Sequence, residues 1–289
     1  MTILLVLILN KNRAIDMKRV NLMYFSPTAT TKTIVEAIGN RLVDKNGIEK
    51  GISVDFTLPT QRENGVTFSP NDILLIGVPV YAGRVPYILL SYLNTIKSNN
   101  TLAIPVVLYG NRDYDDALLE LNDILIENGF SVIAGGAFIG EHSFSNTLAK
   151  DRPDETDLST AKQFADNVYK KIEGNSFDTL EIKGNRPYRA YNKPKTDENK
   201  TVESIKAEPK VEPKTDDNCI DCKICAEVCP MACIDYNDVT KIIGTCIKCG
   251  ACVKLCPTSS KYFDNPDYLK LKHLLEEHFK ERKEPELYV

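Results

Sequence analysis

All nine cysteines of this 289-residue chain lie between Cys219 and Cys256, and residues 1–218 contain none. Eight of them fall in two copies of one pattern, C-x2-C-x2-C-x3-C-P: Cys219, Cys222, Cys225, Cys229 and Pro230, then Cys246, Cys249, Cys252, Cys256 and Pro257. Thiolates are soft ligands for zinc and for iron–sulfur clusters. A zinc ribbon uses two separated pairs of cysteines, whereas each copy here adds a third cysteine at the same short spacing, which is the bacterial iron–sulfur pattern. An isoleucine, Ile220 or Ile247, follows the first cysteine of each copy. The ninth thiol, Cys233, suits a buried position for a small apolar residue. Such crowding, with most of the chain left unstapled, argues against a secreted disulfide protein and for a reducing compartment. The chain is therefore expected to be cytoplasmic.

A second chemistry-bearing stretch is Ser26–Thr31 (SPTATT), in which Ser26, Thr28, Thr30 and Thr31 carry hydroxyls around Pro27 and Ala29. It stands between an apolar run, Val20–Phe25, and a helical pattern of Ile34, Ile38 and Leu42. Hydroxyls and backbone amides at a helix N-terminus make a cradle for a phosphate without a lysine. One capping hydroxyl would serve the helix alone; four point to an anion. Neither a dinucleotide fingerprint nor a Walker loop is present, since the loop holds no glycine. His142, in Glu141–Ser145, titrates near neutral pH in its ordinary state, and a solvated loop position is expected for it.

These residues must be positioned by the pattern around them. Ile52–Phe56, Ile73–Val80, Leu102–Leu108 and Phe130–Phe138 read as further strands, and helices are expected over Asp115–Asn128 and Leu158–Ile172. Near-continuous apolar strands alternating with helices predict a doubly wound α/β domain around a parallel five-stranded sheet. Ligands of such sheets bind at the carboxyl ends of the strands.

The loop pattern [ST]-x-T-G-x-T, matched by Ser26, Thr28 and Thr31, resembles that of the flavodoxin family. Ala29 stands in the glycine position. The resemblance implies FMN as cofactor, weakened by strain at Ala29, with its phosphate on Ser26–Thr31. It also implies that Tyr81, with Tyr109 or Tyr114, stacks on the isoalloxazine, while Gly83, Gly110 and Asn111 lie beside the ring. The cysteine half resembles the two-cluster bacterial ferredoxins, small α+β domains whose ligands interleave. By that resemblance Cys219, Cys222, Cys225 and Cys256 hold one [4Fe–4S] cluster, and Cys246, Cys249, Cys252 and Cys229 hold the other. The order of the two halves, with the segments Gly77–Pro86, Tyr109–Leu121 and Phe138–Pro153, resembles the flavodoxin–ferredoxin fusion proteins of anaerobes.

The expected organisation is an extension over 1–16, which includes the apolar run Thr2–Leu9, and a flavodoxin-like domain over 17–175. A flexible linker over 176–215, rich in Lys, Glu and Pro, leads to a ferredoxin domain over 216–260. A C-terminal helix over 261–289 is expected to cover one of the domains with Leu271, Leu274 and Leu275. With 36 Lys+Arg against 40 Asp+Glu, a net charge of -4 leaves no basic excess for nucleic acid. No run reaches the roughly 18 apolar residues of a membrane span. The expected function is electron transfer among FMN, two clusters and redox protein partners. The alternative is a flavin-dependent reductase of a small oxidant fed by the ferredoxin domain.

Overall fold

The computed structural model describes residues 18–191 and 210–289. The apolar run Thr2–Leu9, the extension 1–16 and the middle of the expected linker lie outside the described residues. The first domain is built on strands β1 (Lys18–Tyr24), β2 (Ile48–Asp55), β3 (Asp72–Pro79), β4 (Leu102–Tyr109) and β5 (Gly135–Ile139). They pair in parallel in the order β2-β1-β3-β4-β5. This is the flavodoxin-like doubly wound order. Strands β3 and β4 are buried almost throughout because both faces are covered, which accounts for their unbroken apolar runs.

Helices α1 (Thr30–Val43) and α3 (Glu155–Gly174) cover one face, burying Ile34, Ile38, Leu42, Phe164 and Val168 against Val20, Ile73, Ile104 and Phe138. Helix α2 (Ala117–Glu127) covers the other face, with the short turns at Tyr87–Leu93, over Leu74, Ile76, Val107 and Ile139. Helix α3 begins in a capping box between Asp154 and Asp157, which satisfies amides at its exposed end.

Four expectations change. The fifth strand is not continuous over Phe130–Phe138: Ser131–Val132 pairs separately with the start of β4, and β5 begins at Gly135. The sheet is not purely parallel, because β6 (Glu286–Tyr288) adds antiparallel to β5 through Glu286↔Ala137, Leu287↔Gly136 and Tyr288↔Gly135. The final stripe of leucines covers only in part: in α4 (Pro266–His278) Leu275 is buried, together with Tyr268, while Leu271 and Leu274 face solvent. Lastly, residues 184–191 lie against the first domain instead of hanging free. Arg186 and Tyr188 bind the Asp123 carboxylate, the Arg189 amide donates to Asp116, and Tyr191 donates to Glu120. The Arg84 guanidinium pairs with Glu120 there and lies under both tyrosine rings.

The second domain is small. Lys214–Thr215 pairs antiparallel with Lys261–Tyr262, Ile234 bridges to Ile242, and one-turn helices at Ile224–Glu227 and Ala251–Lys254 each carry the third cysteine of a copy.

Candidate functional site

The repeat is visible in the backbone. Asp221 and Lys223 have φ of 55° and 65°, and their equivalents 27 residues later, Lys248 and Gly250, have 58° and 77°. Left-handed residues between successive cysteines curl the chain so that neighbouring thiols converge. One cavity is lined by Cys219, Cys222, Cys225 and Cys256, and the other by Cys229, Cys246, Cys249 and Cys252. Each joins three cysteines of one copy to the fourth of the other. Among the described residues no three His, Cys, Asp or Glu side chains converge on the position of a single ion. All nine cysteines are free of disulfides.

Backbone amides point at the sulfurs: Lys248 N donates to Cys246 Sγ at 3.4 Å, Ser260 N to Cys256 Sγ at 3.2 Å and Cys233 N to Cys229 Sγ at 3.5 Å. Such bonds stabilise charge on a cluster's sulfurs. Burial pushes the Cys249 thiol up to about 12 and raises that of Cys252, so metal coordination would have to supply the compensating charge. Cys233 is 2% exposed and also borders the second cavity. Its equivalent in the other half is Ser260, which is likewise buried. Cys233 therefore takes the position that Ser260 takes in the other copy, with its thiol 3.5 Å from Cys229 Sγ.

At the first domain, Ala29 has φ 65° and ψ -11°, the left-handed conformation that favours glycine. The turn is held by Ala29 N donating to Ser26 O at 3.2 Å, and the Ser26 hydroxyl accepts from Lys32 N at 2.9 Å. Ser26 thus caps α1, and its own amide donates to Thr57 Oγ1. Among the described residues the amides of Thr28, Thr30 and Thr31 find no acceptor, so this helix N-terminus keeps donors for an anion. Thr28 and Thr30 are half-buried and Thr31 is buried against Gly77.

The loops expected around a flavin ring are arranged otherwise than their residue types suggest. Tyr109 and Tyr114 are buried in the core, packed on one another at 5.6 Å, and offer no free ring face. The Tyr114 hydroxyl donates to Glu286 at 2.6 Å and meets the Tyr288 hydroxyl at 2.7 Å. Asn111 is also buried, its amide donating to the carbonyls of Phe279 and Glu281 at 2.5 and 2.8 Å. These residues hold the returning C-terminal segment. A Cβ on Gly83 would strike Asp115, and one on Gly110 would strike His142, so both glycines serve contacts within the protein. Tyr81 alone of the three tyrosines is only half-buried; it packs against the edge of the first core, and burial of its hydroxyl, with the nearby Cys249 and Cys246 charges, raises its pKa.

The second copy of the cysteine pattern sits on these loops. Ile247 packs against the core of the first domain. A Cβ on Gly250 would stand 2.5 Å from the Ser143 carbonyl. The Lys254 ammonium binds Glu141, the Ser145 carbonyl and Asn146. Arg62 donates to the Pro230 carbonyl at 2.7 Å. Phe263, which lines the second cavity, stacks on Tyr268 at 4.4 Å, and Tyr268 meets Phe144 at 4.6 Å. His142 is half-buried at this junction, contrary to the solvated position expected. Burial and the Lys254 charge bring its pKa down to about 4, and its Nδ1 accepts from Phe144 N at 3.1 Å, which puts the proton on Nε2. Sequence reasoning missed Arg62, Lys254, Phe144 and Tyr268. Only Lys254 left a trace, as a basic residue where the first copy has Glu227.

Residues 198–260 match the family described as a 4Fe-4S dicluster domain. No curated protein matches the chain in sequence. Among solved structures, a flavodoxin from the domain Archaea is 15% identical, with 54% of this chain and 99% of that chain covered and a TM-score of 0.39. Flavodoxin 2 from Bacillus cereus is 16% identical, with 53% and 99% covered and a TM-score of 0.38. The rubredoxin oxygen:oxidoreductase from the anaerobe Desulfovibrio gigas is 14% identical, with 55% and 37% covered and a TM-score of 0.39. Sheet order and cysteine pattern together define a flavodoxin-like α/β domain followed by a small 4Fe–4S ferredoxin domain, a redox electron-transfer protein. No described helix is long and apolar enough to cross a membrane.

Proposed function

We propose that the chain relays electrons between FMN and two [4Fe–4S] clusters and exchanges them with redox protein partners, as its resemblance to fusion proteins of anaerobes implies. The observation that carries the reading is the seating of the Cys246–Cys252 segment on the first domain, with Ile247 against its core, Gly250 under Ser143 and Lys254 bound to Glu141 and Asn146 of the loop after β5. When bound, the flavin would supply one- or two-electron chemistry and each cluster one-electron chemistry. In this reading Cys219, Cys222, Cys225 and Cys256 hold one cluster, and Cys229, Cys246, Cys249 and Cys252 the other, each set around its own cavity. The Thr28, Thr30 and Thr31 amides, with the neighbouring hydroxyls, receive the FMN phosphate. Tyr81 is the ring contact, in place of Tyr109, Tyr114 and Asn111.

The ferredoxin half covers the loops where a small oxidant would enter, which supports a carrier over a reductase. Anaerobic purification followed by iron, sulfide and FMN counts tests the reading. About eight irons and one FMN per chain are expected. A zinc protein, or an iron protein that takes up no FMN, would overturn the corresponding half.

A further inference from the structure

The two cysteine copies present equivalent residues on two faces of the small domain, and the first domain occupies one of them. Ile247 is half-buried and packs against the core of that domain. Its equivalent Ile220 is 64% exposed. Lys254 binds Glu141, Ser145 and Asn146 of the first domain. Its equivalent Glu227 is exposed and, among the described residues, accepts a hydrogen bond from the Tyr236 hydroxyl alone, at 3.3 Å. Gly250 lies where no side chain fits under Ser143, while its equivalent Lys223 carries one that reaches Asp221 and the Asn237 carbonyl within its own domain. Lys248 is matched by Asp221. The same apolar knob is thus repeated, but the charges around it are reversed. In sequence Ile220 is flanked by Asp216, Asp217, Asp221 and Glu227, with Lys223 as the basic residue among them, paired with Asp221. This face also opens on the cavity of Cys219, Cys222, Cys225 and Cys256, of which Cys222 is exposed.

We propose that this face is the docking site for a redox partner protein that presents an apolar socket ringed by basic residues. The socket takes Ile220 as the first domain takes Ile247, and the basic ring faces Glu227 and Asp221. The reversal also disfavours a second copy of this chain, whose Glu141 would meet Glu227 where it meets Lys254 within the chain. Like charges brought together in this way select against a wrong partner. The proposal rests on the relay reading only for what passes across the face; docking is measurable without electron flow.

The test is isothermal titration of oxidised full-length holoprotein with ferric cytochrome c, a basic haem protein used as the probe, at low ionic strength. The wild type is expected to bind with a dissociation constant on the order of micromolar. The double swap Asp221→Lys with Glu227→Lys is expected to weaken binding by about tenfold or more, with the loss shrinking as salt is added. Ile220→Ala is expected to weaken it by about fivefold at every salt concentration. The control swap Glu155→Lys with Glu173→Lys, two exposed residues of α3, should leave binding unchanged. No binding by the wild type, no loss from the face variants, or an equal loss from the control overturns the docking face. Iron, sulfide and FMN counts on the same preparations separate that failure from failure of the relay reading. Full counts with an indifferent face sink only the docking site.

Discussion

Lys261 and Ile234 occupy equivalent positions in the two halves of the ferredoxin domain, 27 residues apart, and line different cavities. Lys261 is 2% exposed beside Cys219, Cys222, Cys225 and Cys256; Ile234 lies beside Cys229, Cys246, Cys249 and Cys252. The Lys261 ammonium is held by Thr215 Oγ1 at 2.7 Å and by the Val239 carbonyl. If each cavity holds a cluster, as proposed, a buried cation near one and an aliphatic side chain near the other would separate their electron affinities, because each reduction adds a negative charge.

Lys261→Met should therefore lower the potential of the cluster farther from the first domain by on the order of 50 mV. The other cluster should move much less. An EPR-monitored redox titration resolves the two. Equal shifts in both would show that Lys261 acts through the fold as a whole.

Ala29→Gly should stabilise the first domain by about 1 kcal/mol, since alanine meets a penalty at φ 65° that glycine does not. The turn is held by its own hydrogen bonds, Ala29 N to Ser26 O and Lys32 N to Ser26 Oγ. The strain accordingly belongs to folding. The denaturation midpoint should rise while the FMN dissociation constant, read by fluorescence quenching, changes by less than about threefold.

Cys233→Ser should keep the full iron content, because Ser260 already fills the equivalent position in the other half. Cys249→Ser, by contrast, should lose iron. Iron analysis of the two variants decides the point, and loss of a cluster from Cys233→Ser would make the ninth thiol a ligand.

His142 is expected to stay neutral in the folded protein down to about pH 4. Burial and Lys254 oppose its protonation, and the Glu276 carboxylate only partly offsets them; Arg112 opposes it further. The unfolded chain takes up this proton near pH 6.5, so between about pH 6.5 and 4 the unfolded state binds more protons. Stability from this group is therefore complete above pH 6.5 and is lost as the pH falls. His142→Gln should flatten the fall in melting temperature between pH 7.5 and 5, a difference on the order of 1 kcal/mol. An unchanged pH profile would remove His142 as the cause.

The repeat C-x2-C-x2-C-x3-C-P made the eight ligand candidates legible because cluster ligation depends on spacings of a few residues. The run of buried strands made the doubly wound domain legible because burial on both faces leaves an unbroken apolar pattern. The hydroxyl loop was readable for the same local reason, down to the strained backbone at Ala29. The tyrosines were not. Tyr109, Tyr114 and Asn111 looked like ring contacts, yet they bind Phe279, Glu281, Glu286 and Tyr288, residues more than 160 positions later in the chain. Nothing within a loop announces a partner so distant. By itself the sequence nominated the side chains proposed to hold clusters and the turn proposed to hold a phosphate. The tertiary structure alone decided that Ile247 is half-buried against the first domain and Ile220 bare, and that a lysine is buried beside one cavity only. Those outcomes depend on which surfaces meet, and two copies of one motif become different when only one has a neighbour.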